Sequence, residues 1–229
     1  ADQERPMSLL PLIDPGALFA FRLPLRRFDG KWGRTGVELP EAYRLPTFAE
    51  LAGKRPFADV RGAWNESGLL FEAKVVRKSQ VSWCREGMPA DSDGLHLWID
   101  TRDTHTIHRA SRYCHRFMAA PIGAGKAGID PFAVMLSIPR AKEEPKSASR
   151  EPLPVVAKRL PDGYWLAVRI PADRLFGYEP IDHPRIGFFY SVVDRELGNQ
   201  NWNLGGDYPY VEDPSLWGTA DLVGADEVT

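Results

Sequence analysis

Turn residues punctuate this chain throughout. Twenty glycines and 20 prolines are spread over 229 residues, and the apolar segments between them are short. An amphipathic helix needs a 3.6-residue period sustained over about ten residues or more, whereas a strand needs only four to eight residues of alternation bounded by turn chemistry. The chain therefore reads as mainly β. Phe57 to Trp64 and Leu69 to Val76 flank Asn65-Glu66-Ser67-Gly68, whose Asn and Gly tolerate turn conformations, and this predicts a hairpin. Further strands are expected at 95–100, 113–120, 132–138, 153–158, 164–170, 186–193 and 217–223, where β-branched and aromatic residues recur at spacing two. Short helical turns fit Thr47 to Gly53 and Ala172 to Gly177, the latter preceded by Pro171. Residues 139–154 are charged, apolar-poor and bounded by prolines, as a solvated loop between strands is.

No internal repeat is visible, and strands continue to Val223. The expected architecture is an all-β, antiparallel two-sheet β-sandwich, immunoglobulin-like or jelly-roll-like. Residues 1–27 form an irregular Pro-rich arm in this reading and residues 28–229 the single sandwich. Hydrophobic residues at 43% and charged residues at 26% supply core material and argue against disorder. With 29 Lys plus Arg against 31 Asp plus Glu and a net charge of −2, no basic field exists to drive nucleic-acid binding. No run reaches the ~18 apolar residues of a membrane span. A leader ahead of Ala1 implies an extracytoplasmic address, and a native start at Met7 a cytoplasmic one.

Most familiar motifs fail. Gly123-x-Gly125-x-x-Gly128 matches a dinucleotide fingerprint in letters, but Asp130-Pro131 and a strand-like FAVMLSI follow where a helix must begin. No G-x-S-x-G or H-E-x-x-H occurs. No nucleophile, base and oxyanion donor can be assembled, so binding is preferred to catalysis. Asn65-Glu66-Ser67 is formally a glycosylation acceptor and equally a tight turn. Cys84 and Cys114 are too few for a disulfide scaffold and read as small buried residues.

Three polar features remain. His96, His105, His108 and His115 fall in one window with Cys114, and imidazole and thiolate are ligands for zinc or copper. Ordinary hydrogen-bonded histidines account for the same pattern. The window also holds Arg102, Arg109, Arg112 and Arg116, guanidiniums that can present planar forks to hydroxyls or anions or sit in salt bridges. Asp91, Asp93, Asp100 and Asp103 flank the strand LHLWID, and oxygen ligands so spaced can hold calcium. Trp83 and Trp202 lie in polar, Gly- and Asn-containing segments, where an indole is either a platform for a pyranose or packing over a loop.

The order of segments resembles the family 9 carbohydrate-binding modules and the wider DOMON-like sandwich superfamily. Phe28-Asp29-Gly30-Lys31-Trp32 is similar to the family's opening DG-x-W, AWNESGLLFEAKV to its strand pair, and Asp93 to Asp100 (DGLHLWID) to its D-S-V-E-I-F-I-D. Tyr164 to Pro171, Ile186-Gly187-Phe188, Trp202 and Ser215 to Gly218 follow in order, so the resemblance covers about residues 28–224. It implies an antiparallel sandwich that grips a sugar between loop aromatics, often with structural calcium. Trp202 and Asn203 match the family's later binding-Trp region. His96 stands where the family has an acidic binding residue, and Pro89-Ala90 stand in place of a partner Trp, with Trp83 the nearest indole.

The expected function is thus a non-catalytic domain recognising a carbohydrate. Trp83 and Trp202 are its platforms, His96, Arg109 and Arg112 its donors, and Asn203 a secondary contact. A metal- or haem-binding protein using the histidine window is the alternative, with His105, His108, Asp91 and Asp93 as metal candidates and Met118 or Met135 as an axial ligand beside a histidine. A structural domain without ligand is the third reading.

Overall fold

The computed structural model describes residues 20–33, 36–147, 151–203 and 208–226. Its strands are β1 (Arg22–Arg27), β2 (Ala58–Asn65), β3 (Gly68–Val75), β4 (Gly94–Asp100), β5 (Cys114–Ala124), β6 (Asp130–Leu136), β7 (Val155–Leu160), β8 (Gly163–Pro171), β9 (Arg185–Asp194), β10 (Gly198–Asn201) and β11 (Gly218–Val223). Helical structure among the described residues is limited to short 3-10 turns, including Ala49–Ala52 and Ala172–Arg174. The hairpin forms as the turn chemistry requires. Asn65 pairs with Gly68, and the Asn65 side-chain carbonyl accepts the Ser67 amide at 2.9 Å and its hydroxyl at 2.6 Å. The Gly123 to Gly128 segment is the turn joining β5 to β6, with the Gly123 amide donating to the Gly128 carbonyl at 3.0 Å. It is not a phosphate loop.

Two separate antiparallel sheets were expected, and here the structure differs. The strands form one mixed sheet in the order β6-β5-β4-β9-β11-β1-β2-β3-β8-β7, with β10 added on β9. The cause is β1, which falls inside the expected irregular arm. Leu23 and Leu25 point into the core at 2% and 0% exposure while Arg22 and Arg26 face outward, a two-residue period hidden by the prolines around it. It runs parallel to both β11 and β2 and stitches the two layers into one path. Pro24 cannot donate to a ladder, but β2 meets β1 only at Arg26 and Arg27, so no bond is required of Pro24 on that side. The end strands β6 and β7 return to face each other across a groove of about 920 Å3 lined by Phe132, Met135 and Val155, which leaves the sheet nearly closed into a barrel.

Alternation places Leu95, Leu97 and Ile99 of β4 in the interior with Phe71, Phe117, Phe188 and Tyr190. The outward side of β4 is buried as well. Segments 101–113 and 208–217 lie over it, and Trp98, Cys114, Phe189, Tyr210 and Trp217 make a second apolar cluster there. Both cysteines are free thiols, Cys114 buried and Cys84 half-buried, and burial pushes each up to about 12. No helix among the described residues is long and apolar enough to cross a membrane.

Candidate functional site

The outward face of β4, β5, β9 and β10 carries a cleft of about 520 Å3, within the usual size of small-ligand sites. Strand parity builds its floor. His96 and Trp98 of β4 share a face two residues apart, Arg116 of β5 lies directly across from Trp98, and Asn199 of β10 lies across from Val193 of β9. The Arg116 guanidinium sits 5.3 Å from the Trp98 ring centre, His96 stacks on Trp98 at 6.1 Å, and Tyr210 stands edge-on to Trp98 at 5.4 Å. The His96 Nε2 lies 3.2 Å from the Ser92 carbonyl, and burial lowers the imidazole to about 4, so it is neutral at pH 7. Arg116 is only 8% exposed. Burial works against its charge, no described carboxylate pairs with it, and its Nε has no hydrogen-bond partner.

The wall comes from the segment before β4 and the turn between β9 and β10. Trp83 lies against the Arg195 guanidinium, 3.6 Å from its ring centre, with Arg85 at 4.9 Å. Buried Asp93 holds the two pieces together. Its carboxylate accepts the Trp83 amide at 2.8 Å and the Arg195 amide at 2.9 Å, and its own amide donates to the Trp83 carbonyl at 2.8 Å. Ser92 Oγ accepts the Arg85 amide at 2.9 Å and donates to the Met88 carbonyl at 3.0 Å, which folds residues 83–92 onto themselves. Beneath them the Lys78 ammonium, 4% exposed, bonds Asp194 and lies 3.8 Å from both Asp93 and Glu196. The positive charge that this carboxylate group needs is thus provided by the chain itself. Serine and backbone hydrogen bonds at Ser79 and Gln80 hold Glu196 down to about 2.

Of the residues expected at the site, Trp83 and His96 line the cleft, and Asp91 stands exposed on its rim. The others lie elsewhere. Trp202 is fully buried in the interior, 5.9 Å from the Phe188 ring, with its long edge against Gly218, where a Cβ would fall 2.1 Å from the indole. The same parity that turns Asn199 and Asn201 outward turns Gln200 and Trp202 inward, so the polar neighbours of Trp202 in sequence mislead. Asn203 follows it, half-buried and outside the cleft lining. Arg109 donates to the Arg140 carbonyl at 2.8 Å, and Arg112 covers Tyr113 and Phe176. The residues missed were Trp98, Arg195, Asn199 and Tyr210, and Arg116, noted among the guanidiniums of the histidine window, was passed over for Arg109 and Arg112. Pairing LHLWID with the strand that follows it was the signal available for Arg116.

The metal candidates do not converge. His105 contacts Thr219 and Asp103 at 2.9 Å each, and His108 contacts Asp213 and Ser215 at 3.1 Å each. His115 accepts the Phe176 amide at 2.9 Å. Among the described residues no three His, Cys, Asp or Glu side chains gather as metal ligands. Met118 is directly beside His96 across β4 and β5, on one side of the sheet, whereas axial haem ligands must oppose each other across a plane. Met135 packs against the interior core.

No family model matches the sequence, and no curated protein matches it. Solved structures do resemble it. A family 9 carbohydrate-binding module from Caldicellulosiruptor kristjanssonii in complex with cellotriose superposes with a TM-score of 0.59 at 16% identity, covering 91% of this chain and 98% of the module. The same organism's family 9 module in complex with glucose gives 0.57 at 16% identity, covering 91% of this chain and 100% of that one. The likeness at this identity is one of fold.

Proposed function

We propose that the chain is a non-catalytic binding domain that takes a saccharide in the β4–β5–β9–β10 cleft. One observation carries the reading: the half-buried Trp83 indole and the exposed side chains of Arg85, Arg195 and Asn199 line one open cleft, over a floor in which Arg116, His96, Trp98 and Tyr210 are buried. A pyranose is recognised by that combination, stacking on its CH faces and donors to its hydroxyls. The fold likeness to modules in complex with cellotriose and glucose supports the same reading. Among the described residues the cleft lining holds one carboxylate, Asp91, with no second at glycosidase spacing. Calorimetric titration with a panel of soluble mono- and oligosaccharides tests the proposal. At least one binds, and Trp83→Ala weakens it by about 1 kcal/mol; a panel without a binding heat overturns it.

A further inference from the structure

The cleft is far more positive than the chain. Among the described residues its lining holds Arg85, Arg116 and Arg195 against Asp91, with His96 neutral, in a protein whose net charge is −2. Several arginines elsewhere form ion pairs: Arg27 bonds Glu66 and Asp29, Arg44 and Arg61 share Asp59, and Arg102 bonds Glu179. The three in the cleft make no ion pair among the described residues and rest instead on indole rings. Arg116 is the decisive one, being more than nine-tenths buried with its Nε unpartnered. A desolvated guanidinium with no ion pair, only the field of exposed Asp91 at the cleft rim, is a costly arrangement, and it is relieved by an anion that enters the cleft.

We infer that the ligand is an acidic saccharide, whose anionic group pairs with Arg116 and Arg195 while its ring lies against Trp83. A carboxylate, as in a uronic acid, matches the planar guanidinium fork most closely. The step rests on the saccharide reading and narrows it. Neutral sugars leave the buried Arg116 guanidinium without an ion pair.

The test compares trigalacturonate, glucuronate and glucose 6-sulfate with cellotriose and glucose by calorimetry on the whole chain, at low and at physiological salt. The acidic sugars bind at least about tenfold tighter than neutral ones of the same length, and their affinity falls with salt. A uronate preferred over the sulfate ester supports the carboxylate fork, and equal binding of the two supports recognition of anionic sugars in general. Arg116→Gln removes most of the difference while Arg116→Lys keeps part of it. Should Arg116→Gln fail to fold, exposed Arg195→Gln reads out the same loss. Cellotriose binding as tightly as trigalacturonate, or uronate binding indifferent to both arginine variants, overturns the inference and leaves saccharide binding standing. Absence of binding by every sugar overturns both.

Discussion

Trp83 and Trp202 carry the same indole into opposite surroundings, and their replacement separates stability from recognition. Trp202 fills the interior beside Phe188 and Gly218, so Trp202→Ala opens a large cavity and costs about 3–5 kcal/mol, measurable by denaturant unfolding. Trp83 lies half-buried on the cleft wall, and Trp83→Ala stays within about 1 kcal/mol of the parent in the same assay. Equal losses for the two contradict this division. Lys78 is the most sensitive charged position. Lys78→Met leaves Asp93 and Asp194 buried without a cation, a loss of about 3–5 kcal/mol, and Lys78→Met combined with Asp194→Asn recovers part of it. Side-chain chemistry alone pointed to His96 and Trp83, but no composition rule separates a tryptophan facing solvent from one facing the core when both lie in polar segments.

At the scale of elements, alternation located nine strands within four residues of their ends, because each has one face on the interior and turn residues at its limits. Two strands escaped. β1 carries only two inward leucines around Pro24, and β10 is four polar residues whose Gln200 turns inward to accept the Phe57 amide at 2.7 Å. Neither has the apolar signal that periodicity detects, yet β1 sets the topology and β10 contributes Asn199 to the cleft. The site was read less well than the strands, since Arg116 joins it only through the pairing of β4 with β5 and Arg195 only through the turn between β9 and β10. Asp93 tests how the wall is held. Asp93→Ala removes the acceptor of the Trp83 and Arg195 amides, so exchange of the backbone amides of 83–92 with deuterium speeds up while those of β4 and β9 stay protected. Unchanged exchange in 83–92 contradicts the assigned role.

Three buried titrating groups shape the stability of the molecule as a whole. Burial lowers His96 and His115 from 6.5 to about 4, so the fold binds fewer protons than the unfolded chain in that interval, and stability drops as pH falls through it. Glu72 runs the other way. Burial raises its carboxyl from 4.5 to about 7, although it accepts the Leu39 amide at 3.0 Å, so its contribution is complete below pH 4.5 and is lost as pH rises to about 7. The melting temperature of the parent therefore climbs from pH 4.5 to 6.5, two histidines against one glutamate, and levels off near pH 7 where the two opposing slopes cancel. Glu72→Gln steepens the climb and carries it past pH 7 in scanning calorimetry; parallel profiles for the two proteins contradict the assignment.

The parallel pairing of β1 with β11 has a mechanical consequence. Tension applied at Arg22 and Val223 pulls these adjoining strands lengthwise past each other, and the hydrogen bonds between Arg22–Arg26 and Thr219–Val223 bear the load together instead of opening one after another. A domain strained in that direction ruptures in a single abrupt event at high force, a property suited to a tether that must hold while pulled.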